Sequence, residues 1–401
     1  MPSICFYFQV HQPNRLKQYT FFDLGHDHDY ENESFNRDVL NKVSDSCYLP
    51  TNKLMLKLIN EYKGKFKIAF SLSGVVIEQF EKYRPDVLES FVELAKTGQV
   101  EFLAETYYHS LSFFHSKEEF TRQVKMHVKK NKQYFGQTPK VFRNTELSYN
   151  NDLARHIESM GFKGIITEGV DRLLMGQTPN VLYHPPKSGK IKLLLRNHIL
   201  SDDLGFRFSD KNWEEYPLTA EKFADWLSKN KGEIINLFMD YESIGEHQWE
   251  ETGIFKFFKE LPSSVLSKKN LDFVTPSQAI NKYKTWALYD IHNPISWADF
   301  ERDLSAWNGN TMQYEAIKKV FQLEKLVKSS RNKDLIHVWS KLQTSDHFYY
   351  MSTKGHTDGM VHNYFSPYNS PYDGYIYYMN ALSDLQIMLN KRNRKKLAAQ
   401  N

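Results

Sequence analysis

"KVFRNTELSYNNDLARHIESMGF", residues 140–162, holds the turn on which the fold reading depends. Val141 and Phe142 sit in a short run that alternates with polar residues, the period of a strand. "YNNDLARHIESMGF" then opens with an Asn/Asp cap signal and continues with apolar residues at helical spacing. Glu146 therefore stands where a strand ends and the chain turns toward a helix. In α/β folds that rim is where catalytic residues gather. A lone acid there is equally a solvated turn residue, so the rest of the chain has to decide.

The same alternation recurs outward in both directions. Apolar or β-branched runs appear at "ICFYFQV", "FKIAFSLSG", "QVEFLAE", "KVFRNTE", "KGIITEG", "IINLFMDYE" and "LDFVTPS", and helical patterns at 51–63, 75–96, 117–134, 150–160, 219–230 and 276–284 separate most of them. Strand then helix, repeated about seven times, predicts a parallel sheet closed or nearly closed into a barrel. The runs are apolar on both alternations, as parallel strands covered on both faces must be. No glycine-rich phosphate loop follows an early strand, which weighs against a dinucleotide-binding open sheet. From about residue 290 the pattern becomes helical, with "SWADFERDLSAWNGNTMQYEAIKKVFQLEKLVKSS" read as a long interrupted helix. The expected organisation is a catalytic barrel at 1–288 and, without a linker, a helical region at 289–401 packed on it and contributing to the site.

Composition narrows the function. The 52 basic and 48 acidic residues nearly balance, so no strong field favours nucleic acid or membrane. The basic run Asn390–Lys396 suits the end of a helix, where it complements the dipole. Two cysteines, Cys5 and Cys47, exclude a disulfide framework and a four-thiolate zinc site. No leader and no membrane-length apolar stretch is read, so a cytoplasmic protein is expected. Aromatics make up 15% of the residues; some of these must lie outside a core, and aromatic faces suit the C–H faces of sugars.

Acids and histidines collect at the strand ends. "YFQVHQP" ends in His11 and Gln12, "GQVEFLAETYYHS" carries Glu101, Glu105, Tyr107 and His109, and "NLFMDYESIGEHQW" carries Asp240, Tyr241, Glu242, Glu246, His247 and Trp249. A hydrophobic strand running into a carboxylate is costly unless that group is solvated, paired or used. Two carboxylates across a barrel mouth suit glycoside hydrolysis, one attacking the anomeric carbon and the other moving protons. Strand alternation puts Arg143, three residues before Glu146, on the opposite face, which removes it as the group that ionises Glu146. Tyr107, Tyr108, Trp249 and Tyr349 are candidate sugar platforms. "GHDHDYEN", with His26 and His28, reads as a polar loop, and neither a metal nor a cofactor is expected.

With these residues in view, the chain resembles glycoside hydrolase family 57, the starch- and glycogen-active family named for its α-amylases. Five sequence regions define that family, and their counterparts occur here in order. They are "HQP" at His11–Pro13, "GQVEFLAETYYHSL", "FRNTELSYNN", "LFMDYESIGEH" and "TSDHFYYMST" with Asp346 and His347. The resemblance implies a distorted TIM-like (β/α)7 barrel with a helical carboxyl-terminal part. It further implies a retaining mechanism with Glu146 as nucleophile and Asp240 as general acid/base. His11, Gln12, Glu105, Tyr107, His109, Tyr241, Glu242, His247, Trp249, Asp346 and His347 are then expected at an α-1,4-glucan substrate. The alternatives are a 4-α-glucanotransferase or branching-type transglycosylase on the same scaffold, and a glucan-binding protein with a degenerate site. A metal-dependent deacetylase or mannosidase on a related barrel is disfavoured by "HQP" at the first strand end.

Overall fold

The computed structural model describes residues 2–188 and 190–398, with side chains only as far as Arg392, so most of the basic run Asn390–Lys396 lies outside the described side chains. The strands are β1 Ser3–Val10, β2 Ile68–Leu72, β3 Val100–Phe102, β4 Val141–Arg143, β5 Gly164–Glu168, β6 Leu182–His184, β7 Lys192–Arg196, β8 Ile234–Asp240, β9 Asp272–Phe273 and β10 Thr285–Leu288. β3, β2, β1 and β8 pair in parallel in that order, as do β4, β5 and β7. Two seams join these groups. Ala104 N–H donates to Val141 O (3.1 Å) and Arg143 N–H to Ala104 O (2.8 Å) between β3 and β4; Asn197 N–H donates to Asn236 O (2.9 Å) between β7 and β8. Seven strands thus follow one another around a distorted (β/α)7 barrel.

Alternation sets the layers. All eight residues of β1 are buried. Ile4, Phe6, Phe8 and Val10 face the helices, while Cys5 and Tyr7 join Ala69, Leu103, Val141, Ile166, Leu194 and Phe238 inside the barrel. Helices close each unit with their own caps: the Asn150 side chain accepts from Leu153 N–H at the start of helix Asn151–Ser159, and Ser73 accepts from Val76 N–H at the start of helix Gly74–Tyr83. Each such cap is worth about 1 kcal/mol.

Three expectations are corrected. "LDFVTPS" is not a barrel strand; only Asp272–Phe273 pair, with Ser3 and Ile4 at the outer end of β1. The seventh strand is "KLLLR", whose leucines, not branched at Cβ, carry no β signature. The helix expected at 75–96 is two, Gly74–Tyr83 and Pro85–Lys96, because Pro85 drives Arg84 out of the helical region, to φ −139°. Residues 296–304, read as helix, form an irregular loop in which Asp299 and Arg302 have φ of 55° and 50°.

Beyond that loop the chain is helical, ending in Pro371–Ala398. These helices bury Trp307, Trp339, Phe348, Tyr378 and Leu382 together with Leu16, Tyr19 and Leu111 from loops of the barrel. Among the described residues, no helix is long and apolar enough to cross a membrane.

Candidate active site

At the carboxyl end of the barrel the inward-facing positions of the strands change from apolar to polar. Continuing the alternation of Tyr7, Ala69, Leu103, Val141, Ile166, Leu194 and Phe238 gives Gln9, Ser71, Glu105, Arg143, Glu168, Arg196 and Asp240. These seven make one polar layer. Tyr7 Oη donates to Gln9 Oε1 (2.7 Å) and Gln9 Nε2 to Glu105 Oε1 (3.2 Å). Arg143 Nη1 lies 3.8 Å from Glu105 Oε2, and Arg196 Nη1 lies 3.1 Å from Glu168 Oε2.

Glu146 sits one turn above this layer. It is not in the strand, which ends at Arg143; it occupies a tight turn at φ 60°, ψ 28°, a left-handed conformation few non-glycine residues adopt. The turn is held by Tyr149 and Ile295, which exchange backbone bonds of 3.0 and 2.9 Å, and by Trp297 N–H to Glu146 O (3.2 Å). Its carboxylate is ringed by donors: His109 Nε2 (3.0 Å) and Ser345 Oγ (3.3 Å) to Oε1, and Trp297 Nε1 (2.8 Å) to Oε2. His109 Nδ1 lies 3.2 Å from Glu105 Oε2, so its ring joins two carboxylates.

The electrostatics follow. Burial works against every charge here, but hydrogen bonds to both carboxylates outweigh it at His109 and raise that ring to about 9. Burial also opposes ionisation of Glu105 and Glu146, yet bonding to His109, the His109 charge and Arg143 hold both below the usual carboxylate range, Glu105 at about 2. Asp240 behaves oppositely: burial, then the charge of Glu146, raises it to about 6. Burial and the charge of Asp240 raise Glu242 to about 8, with its Oε1 accepting a short bond from Tyr48.

His11 stacks on His109, ring centroids 3.8 Å apart. Burial and the His109 charge lower it from the usual histidine range. Assigned from its partners as the Nε2–H tautomer, it donates to Asp346 (3.0 Å) and accepts from Ser73 Oγ (2.7 Å). His11, His109 and Asp346 place ligand-type atoms within 4.8 Å of one another. All four ring nitrogens already have partners, however, and stacked rings do not converge on one ion, so the trio does not fit a metal centre.

The remaining expected residues divide. Gln12 is buried and binds Arg15 Nη2 (3.1 Å). Tyr107 hydrogen bonds to Glu78 (2.7 Å) over Gly74, away from the pair. Tyr241, expected at the substrate, is wholly buried in the core, where its hydroxyl donates to Asn52 (2.8 Å); the chain leaves the strand at Asp240 and turns the next ring outward onto Phe8 and Phe70. His247 packs on Phe365. Trp249 is 64% exposed and lines a cavity of about 830 Å³ with Lys42, Glu246 and Phe255, in which no member of the polar layer takes part. His347 points away from Asp346, onto Tyr378 and into a cavity of about 60 Å³ with His28 and Glu31; burial lowers it to about 4.

Sequence reading missed Trp297, Ser345 and Arg143. Alternation misplaced Arg143, because it does not apply across a turn that leaves the strand. In the "HDH" loop, His28 Nδ1 and Tyr30 Oη both reach Asp384 at 2.7 Å.

A family model described as glycosyl hydrolase family 57 matches residues 5–292. A protein of Methanocaldococcus jannaschii named "Putative alpha-amylase" is 43% identical over 98% of this chain and 88% of its own length. In fold, the chain is similar to a GH57-type branching enzyme from Pyrococcus horikoshii (TM-score 0.67, 16% identity, 90% of this chain and 87% of that one). It is also similar to a 4-alpha-glucanotransferase from Thermococcus litoralis (TM-score 0.65, 17% identity), covering 86% of this chain but only 56% of that larger one.

Proposed function

The chain belongs to glycosyl hydrolase family 57, and we propose that it is a retaining hydrolase of α-1,4-glucans in which Glu146 is the nucleophile and Asp240 the general acid/base. The observation that carries this reading is the contrast between two half-buried carboxyls: donors from His109, Ser345 and Trp297 surround Glu146, which is lowered, while desolvation and the charge of Glu146 raise Asp240 to about 6. Environments that push two carboxyls apart assign a nucleophile and an acid. Glu146 attacks the anomeric carbon and forms a β-linked glucosyl-enzyme as Asp240 gives its proton to the leaving oxygen. Asp240 then takes a proton from water, which displaces Glu146 and restores the α-anomer.

Substrate class comes from the α-amylase named among its relatives. His11, Gln12, Glu242 and Asp346 are the groups proposed to meet sugar hydroxyls. The division into a barrel at 1–288 and a helical region at 289–401 belongs to the same proposal, supported by Asp346 reaching His11 from the helical side. So does a cytoplasmic location, for which two buried free thiols speak. Two fold neighbours named for glucan transfer and branching support a second reading, in which a sugar hydroxyl replaces water against the same intermediate. Maltoheptaose separates them: shorter products alone mean hydrolysis, longer ones transfer.

Azide tests the roles. With α-glucosyl fluoride, Asp240→Asn should form the intermediate and release it to azide as the α-glucosyl azide. Glu146→Ala should let azide attack directly and give the β-glucosyl azide. The opposite pair of anomers would reverse the assignment.

A further inference from the structure

Arg143 is wholly buried, and none of its three guanidinium nitrogens has a hydrogen-bond acceptor among the described residues. Buried cations are ordinarily paired and bonded, because an unpartnered one costs several kcal/mol. This one lies at the inner end of β4 in the polar layer, 3.8 Å from Glu105. Its guanidinium carbon is 5.3 Å from the centre of the Trp297 ring, with Arg196 at 5.6 Å from the same ring. That indole is the one whose N–H meets Glu146 Oε2. A group kept in place without compensating bonds acts through its charge and through the ring it supports.

Resting on the assignment of Glu146 and Asp240 above, we propose that Arg143 is a positioning residue, a fixed cation beneath the sugar that holds Glu105 and Glu146 anionic and braces Trp297 against the nucleophile. The groups around it are Glu105 and His109 from the end of β3, Glu146 above, Asp240 from β8, Tyr7 from β1 and Arg196 from β7. Glu105, Glu146 and Asp240 are each lowered by its charge. His109 is lowered by it as well, which opposes the bonds that raise that ring. Arg196, a second cation on Trp297, is spent on Glu168 and on Asp202, 2.5 Å away, so it does not replace Arg143.

The test is the pH profile of kcat/KM on α-glucosyl fluoride. Arg143→Met should move both limbs upward by about one unit, because Glu146 and Asp240 both lose a stabilising charge, and should lower the maximum at least tenfold. Arg143→Lys keeps the charge; its maximum should fall while both limbs stay within about 0.3 unit of the parent's. A purely structural Arg143 would lower the maximum in both variants and leave both profiles in place. A folded Arg143→Met with the parent's limbs would overturn the proposal, and so would limbs displaced by a full unit in Arg143→Lys; if the Met variant fails to fold, Arg143→Gln, equally uncharged but able to hydrogen bond, is held to the same upward shift. Mass spectrometry of the trapped glucosyl-enzyme separates the two levels: label on Glu146 with unmoved limbs defeats only the role of Arg143, whereas label elsewhere defeats the assignment beneath it.

Discussion

Trp297 shows how one donor divides a carboxylate's work. Its N–H takes Glu146 Oε2, and His109 takes Oε1. A hydrogen bond to a charged group is worth about 1.5–3 kcal/mol, so Trp297→Phe should lower kcat/KM by roughly 10–100-fold and raise its acid limb. Steady-state kinetics across pH checks both; an unmoved limb would mean the indole only fills space. Tyr241→Phe should do the reverse, lowering the melting temperature through the lost bond to Asn52 while leaving KM unchanged. The placement of Glu146 and Asp240 just past strand ends was legible because each is embedded in its own motif. Trp297 was not, being 151 residues from its partner in a stretch whose apolar spacing imitates a helix. Arg143 was visible but misassigned, since strand alternation stops at the residue where the chain turns.

Elements explain why acids lie at strand ends at all. Each barrel strand runs inward-facing apolar residues up to one polar position, and the turn that follows lifts the reacting group above it. Strand periodicity made six of the seven strands readable. "KLLLR" escaped because leucine runs fit helix or strand alike, and "LDFVTPS" carried the pattern without the length to pair around the ring. The turns carry special conformations: Gly245, in the segment after Asp240, has φ +102°, and a Cβ there would meet Ser46 O at 2.1 Å. Both features penalise a side chain, so Gly245→Ala should cost roughly 2–4 kcal/mol. It should also depress kcat well below the melting temperature, because this segment hangs from the strand that ends in Asp240, the proposed proton donor. Thermal unfolding and kinetics on the same sample check it; a variant with unchanged melting temperature would show the turn to be free to adjust.

For the molecule as a whole, this site ties stability to pH in one direction above pH 6.5. His109 is raised to about 9, so its contribution is complete below its unfolded value near 6.5 and is lost as pH rises through 9. Glu242, raised to about 8, and Asp240, raised to about 6, act with the same sign: each favours folding while protonated, and that advantage drains between the unfolded carboxyl range and its folded value. Glu105, lowered to about 2, has the opposite sign, but its contribution is complete above its unfolded value near 4.5 and falls only as acid approaches 2. Below pH 6.5 the lowered rings of His11 and His347 oppose these groups, but above it the losses from His109 and Glu242 add without opposition from those rings or from Glu105. A group protonated folded and ionised unfolded contributes a slope of up to ~1.4 kcal/mol per pH unit. Stability should accordingly fall through neutrality, as Glu242 and His109 give up the protons that the folded site holds more tightly than the unfolded chain. Glu242→Gln removes one of the two groups titrating near pH 7 and should cut the slope of stability against pH between 6.5 and 8 by about half. Urea titrations of parent and variant at several pH values measure this directly, and equal slopes would show that Glu242 is already ionised in the folded protein.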